Sequence, residues 1–174
     1  MSIKLYTEPS STLHQEFADS EMNLQSDVLF KRAVVTAGTW ILYTYPNFND
    51  KESGGSRSNY KILQLGADED ITGVNGSMYL VKDQTEGIIL FKHVFYGGER
   101  KWFEESCADV NSLFESGTDG GVSSVIVLSK NQSFDIFTKI NYKGLQTALK
   151  PGMWCDTPQA MGFPNDKMQS FRMI

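Results

Sequence analysis

Residues 91–127 read FKHVFYGGERKWFEESCADVNSLFESGTDGGVSSVIV. Phe91 is followed by Tyr96 and, two residues on, by Gly98. The stretch then runs through a Gly-rich loop into the apolar run Val125-Ile126-Val127. This spacing predicts a folded-over β-hairpin. One aromatic packs across the turn while glycine takes a backbone conformation that side chains resist. On its own this is a hairpin, a loop and a strand, and its weight comes from recurrence.

The same spacing returns as Phe137, Tyr142 and Gly144 in FTKINYKG, and as Tyr43, Phe48 and Asp50 in YTYPNFND. At Asp50 an aspartate stands where glycine is expected, and aspartate tolerates left-handed backbone better than most residues. A first, degenerate copy starts at Tyr6 in YTEPSSTL, with Ser11 at the second aromatic position. Each copy closes on a short apolar run: Ala33-Val34-Val35, Met78-Tyr79-Leu80-Val81, Val125-Ile126-Val127 and Phe171-Arg172-Met173-Ile174. Short strands separated by Gly, Asn, Asp and Ser predict an all-β sandwich. A four-bladed propeller fits the repeat length, but no Trp-Asp or Gly-His signature supports it, and paired Greek keys fit better. The polar segment 82–87 is where a linker between two pairs of repeats would fall. It divides the chain into expected domains 1–83 and 84–174. The polar insertion 49–58 is expected to be an exposed loop.

The remaining composition narrows the function. A net charge of −5 over 174 residues argues against a nucleic-acid partner, which needs clustered Lys and Arg. No apolar run approaches the ~20 residues that span a bilayer. The start, MSIKLYTEPSS, lacks the basic and apolar regions of a secretory signal, so a cytoplasmic location is expected. Cys107 and Cys155 form no metal-binding spacing, and two reduced thiols are expected rather than a bridge. His14 and His93 read as surface residues. Trp40, Trp102 and Trp154 read as packing residues, with a sugar-binding surface as the alternative use. No Gly-x-Ser-x-Gly, phosphate loop or convergent acid, base and nucleophile is present, so no enzyme is expected.

With four such units in hand, the chain resembles the βγ-crystallin superfamily. GTWILYTYPNF, FKHVFYGGERKWF with DGGVSSVIV, and FTKINYKG carry the likeness, which extends over essentially the whole chain and weakens before Gly38. The departures in the first key and the Gly/Ser-rich insertion are those of a non-lens, invertebrate-type member. The resemblance implies two domains, each a β-sandwich of two Greek keys that lend strands to one another.

It also implies Ca²⁺ as a weakly held partner. Many relatives bind it at a loop written Asn/Asp-Asn/Asp-x-x-Ser/Thr-Ser, with a further main-chain carbonyl from the first hairpin. Hard cations take six to eight oxygens, which such a loop offers. In the second domain the carbonyls fall at Val94 and Ile140. The loops are 119–124, with Asp119, Gly121 and Ser123 as candidates, and 165–170, with Asn165, Asp166 and Lys167. In the first domain the corresponding loop is expected at 68–73, with Asp68, Asp70 and Thr72. Its companion at 27–32 has Lys31 in the hydroxyl position and is expected to be dead. Gly120 and Gln169 depart from the pattern, so affinity is expected to be low and best in the second domain. The expected function is thus a non-enzymatic structural protein with weak calcium binding, monomeric or a weak homodimer through domain pairing. The alternative is a protein- or glycan-binding module or inhibitor using the 49–58 loop.

Overall fold

The computed structural model describes residues 1–24, 27–50, 59–81, 86–111, 113–114 and 121–174. Most of the 49–58 insertion, most of the 82–87 linker, Asp119 and Gly120 therefore lie outside the described residues. The chain divides into two compact units, Met1–Asp83 and Gln84–Ile174.

Among the described residues the first unit holds two antiparallel sheets. In one, β1 (Ile3–Tyr6) lies between β2 (Gln15–Phe17) and β3 (Arg32–Val35), and β3 also pairs with β6 (Asp68–Asp70). In the other, β4 (Thr39–Tyr43) lies between β5 (Tyr60–Leu63) and β7 (Ser77–Val81). Strand β6 comes from the second key yet completes the first key's sheet. The first key reciprocates through a bridge from Glu21 to Met78 of β7. Period-two alternation turns Ile3, Leu5, Ala33 and Val35 inward, where they meet Trp40, Leu42, Leu63, Met78 and Leu80 in one core.

The second unit repeats this plan. Strand β8 (Ile88–Phe91) lies between β9 (Arg100–Phe103) and β10 (Ser124–Val127), and β13 (Trp154–Cys155) of the fourth key completes the sheet beside β10. Strand β11 (Phe134–Lys139) lies between β12 (Lys143–Leu149) and β14 (Ser170–Met173), with the return bridge running from Cys107 to Phe171. Ile88, Leu90, Val125, Val127, Phe134, Ile136, Leu149 and Phe171 form its core. The mutual loan of strands shows why keys come in pairs. A single key would leave an unpaired edge and an uncovered apolar face.

The aromatic pairs are where the spacing placed them. Ring centroids lie 5.8 Å apart for Tyr43 and Phe48, 5.5 Å for Phe91 and Tyr96, and 5.9 Å for Phe137 and Tyr142, all edge to face. In the worn first key, His14 takes the partner's place against Tyr6 at 5.2 Å and remains exposed. In the third and fourth hairpins the left-handed residues are Phe95, Tyr96 and Gly98, and Asn141, Tyr142 and Gly144. The second hairpin differs: Asn47, Phe48 and Asn49 are left-handed, while Asp50 is right-handed at φ −59°. The expectation that Asp50 replaces glycine in left-handed backbone is thereby corrected. Asn49 absorbs the turn one residue earlier, and its buried side chain accepts from the Tyr45 N–H at 2.9 Å and donates to the Asn59 carbonyl at 2.8 Å.

Trp40 is fully buried, its indole N–H donating to the Ala37 carbonyl at 3.1 Å. Trp154 packs on Tyr96 at 5.7 Å, and Trp102 is 38% exposed. Both cysteines are free thiols.

Candidate metal centre

The four closing strands share one register, which fixes how their preceding loops correspond. The first hairpin aromatic of each key faces one residue of its closing strand: Tyr6 faces Arg32, Tyr43 faces Ser77, Phe91 faces Ser124 and Phe137 faces Ser170. The residue before each of these donates its N–H to the carbonyl of that aromatic, from Lys31, Gly76, Ser123 and Gln169 at 2.8–3.0 Å. The corresponding loops are therefore 27–32, 72–77, 119–124 and 165–170.

The loop expected at 68–73 is thus displaced by four residues. Its final position belongs to Ser77 rather than Gly73, and Thr72 leads the loop. Asp68 and Asp70 lie in β6, paired with β3 of the first key. The acidic Asp-Glu-Asp run resembles a metal loop in one dimension, but strand pairing assigns it to a sheet edge. There Asp68 grips Arg32 at 2.5 and 2.6 Å, a geometry that holds its carboxyl below the ordinary aspartate value. Hydrogen bonds from Thr72, including its N–H at 2.7 Å, lower Asp70 as well.

The final serine of three loops has a role that the sequence reading missed. The Ser124 hydroxyl accepts from the Tyr96 N–H at 3.0 Å and donates to the His93 carbonyl at 2.6 Å. Ser170 does the same for Tyr142 and Lys139, at 3.0 and 2.7 Å. Ser77 does so for Phe48 and Tyr45, at 2.9 and 2.7 Å. All three serines are fully buried, and each staples the left-handed turn that presents the hairpin. A serine 28 or 29 residues after each second aromatic was the available signal. In the first key this position is Arg32, whose guanidinium instead donates to the Pro9 carbonyl at 3.1 Å and stacks on Tyr6 at 4.9 Å. Pro9 stands where Val94 stands in the third key. The first loop thus places a permanent organic cation on the counterpart of a candidate metal-binding carbonyl. Lys31, beside it, pairs with Glu8 at 3.1 Å.

In the second unit the structure brings Ser123 and Asp166 together across two keys. The Ser123 hydroxyl donates to the Lys92 carbonyl at 2.9 Å and lies 3.3 Å from Asp166 Oδ1. Asp166 adopts left-handed backbone at φ 53°, and its other oxygen accepts from the Asn165 amide. Gly121 backs directly onto this residue: an added Cβ would lie 2.5 Å from the Asp166 Cα. Val94 sits in the same hairpin, its carbonyl accepting from Gly97 N–H at 3.2 Å. Ile140 is 40% exposed at the fourth hairpin, and Lys167 is exposed beside Asp166. Among the described residues no cluster of three His, Cys, Asp or Glu side chains is present. Any cation here would take hydroxyl, carbonyl and single-carboxylate oxygens, a donor set that fits a hard ion such as Ca²⁺ and not a soft one.

A family model described as Beta/Gamma crystallin matches residues 87–174, half of the chain. Among solved structures, geodin, a βγ-crystallin from Geodia cydonium, is 26% identical with a TM-score of 0.81, covering 99% of this chain and 98% of its own. A βγ-crystallin from Ciona intestinalis is 30% identical over 51% of this chain and 99% of its own, with a TM-score of 0.44. No curated protein sequence matches. Four corresponding hairpins, mutually lent strands, the family model and the likeness to geodin agree: the chain is a member of the βγ-crystallin family.

Proposed function

We propose that this is a non-enzymatic, structural βγ-crystallin whose second unit binds Ca²⁺ weakly. The observation that carries the reading is the approach of Ser123 to Asp166, oxygens from two keys meeting where the Val94 hairpin and the Gly121 backbone close in. Asp119 belongs to the ligand set proposed from the sequence. Ile140, with Gln169 and Gly120, offers a poorer companion site. In the first unit, Lys31 and Arg32 put positive charge in the corresponding loop, and no Ca²⁺ is proposed there.

With so few carboxylates, the affinity expected is on the order of 10⁻⁴–10⁻³ M. At 10 mM Ca²⁺ and a Kd of about 1 mM, linkage adds roughly 1.4 kcal/mol to the stability of the folded unit. Calorimetric titration tests this. A saturable heat abolished by Asp166→Ala supports the proposal, whereas no heat and no thermal stabilisation at millimolar Ca²⁺ removes it.

A further inference from the structure

The first unit has a cleft at the place that corresponds to the second unit's candidate metal centre. Its volume is about 340 Å³, and it is lined by Leu29, Phe30 and Lys31 of the first loop, Thr44, and Thr72, Gly73 and Asn75 of the second. In the common register Lys31 stands where Ser123 stands, and Gly73 where Asp166 stands. In the second unit Asp166 fills the space between the loops and presses on Gly121. In the first, Gly73 has no side chain, and a Cβ built on it would meet nothing within 4 Å. The cleft is the room that the missing aspartate leaves.

Two features give this room a chemistry. Its walls are mainly apolar, and Leu29 is 69% exposed. Asn75 closes the inner wall, its side-chain oxygen buried away from the cleft and its amide nitrogen donating to the Ile71 carbonyl at 3.3 Å. Lys31 is 44% exposed and paired with Glu8, and an exposed pair of this kind holds its lysine only weakly. We infer that this cleft binds a small amphiphilic organic acid. Its apolar body lies against Leu29 and Phe30, and its anionic group meets Lys31. The volume lies within the range of small-molecule sites. The first unit thus carries an organic-ligand site where the second carries its candidate metal centre.

Two fluorescent probes test it on the full chain, in excess chelator so that the result is independent of calcium. Anilinonaphthalene sulfonate carries an apolar body and an anion, and N-phenylnaphthylamine lacks the anion. One saturable site is expected for each. Gly73→Asp, which refills the space as Asp166 does, should weaken both at least tenfold. Lys31→Met should weaken only the sulfonate. Amide-resonance changes on the unaltered chain should centre on residues 29–31, 44 and 72–75. This mapping decides the matter even if Gly73→Asp fails to fold. Absent saturation, shifts centred elsewhere, equal loss of both probes in Lys31→Met, or full binding by a folded Gly73→Asp would overturn the inference.

Discussion

Replacing Ser124 by alanine tests the stapled hairpin most directly. The hydroxyl is fully buried, accepts from the Tyr96 N–H at 3.0 Å and donates to the His93 carbonyl at 2.6 Å. Alanine keeps the Cβ and creates almost no cavity, so the loss is a matter of hydrogen bonding. One N–H and one carbonyl lose their partner in a hairpin already held left-handed at Phe95 and Tyr96. A buried polar group stripped of its partner costs about 1–3 kcal/mol, and two such groups sharing one hydroxyl give roughly 2–4 kcal/mol. For a unit of this size each kcal/mol lowers Tm by about 4–8 °C, so a fall of about 8–32 °C is expected. Urea unfolding followed by tryptophan fluorescence, with the second unit reported through Trp102 and Trp154, gives the free energy. Ser170→Ala and Ser77→Ala repeat the experiment in the same geometry and should agree within about 1 kcal/mol. A loss below about 0.5 kcal/mol at all three would refute the staple and leave the aromatic pairs as the determinant of the turn.

Other outcomes follow from the same geometry. Gly121→Ala should destabilise the second unit by about 1–3 kcal/mol, because the new methyl overlaps the Asp166 backbone; an unchanged unfolding midpoint would contradict that packing. Arg32 holds the Asp68 carboxyl low and Thr72 holds Asp70 low, so both groups have folded values below their unfolded ones. Their contribution is fully present above the ordinary carboxylate value of about 3.9 and is lost as pH falls through the lower folded values. Melting curves of Asp68→Asn should accordingly be flatter than wild type below about pH 4, and parallel curves would exclude the linkage. Burial, and then the nearby Asp156 charge, push the Cys155 thiol up, whereas Cys107 is half-buried. A thiol reagent should label Cys107 quickly and Cys155 only on unfolding; two equally fast thiols would count against the burial of Cys155.

Much of this protein is local in sequence. The aromatic-to-aromatic spacing and the closing apolar runs were legible because a hairpin and a period-two strand are short-range objects. Their recurrence sufficed to give four keys and an all-β fold. The candidate ligands Ser123 and Asp166 were also legible, since they occupy fixed positions in a short loop. What the sequence could not settle was pairing between distant segments. Asp68-Glu69-Asp70 reads as a metal loop until the contact of β6 with β3 makes it a sheet edge gripping Arg32, and Tyr43 facing Ser77 moves the true loop four residues on. Nor could spacing show that Asn49, not Asp50, carries the second turn, or that Gly73 leaves open the space Asp166 fills. Composition and spacing determined the number and kind of the keys. Which oxygens meet, and where a void remains, was decided by the lateral register of strands far apart in the chain, because only that register brings two loops face to face.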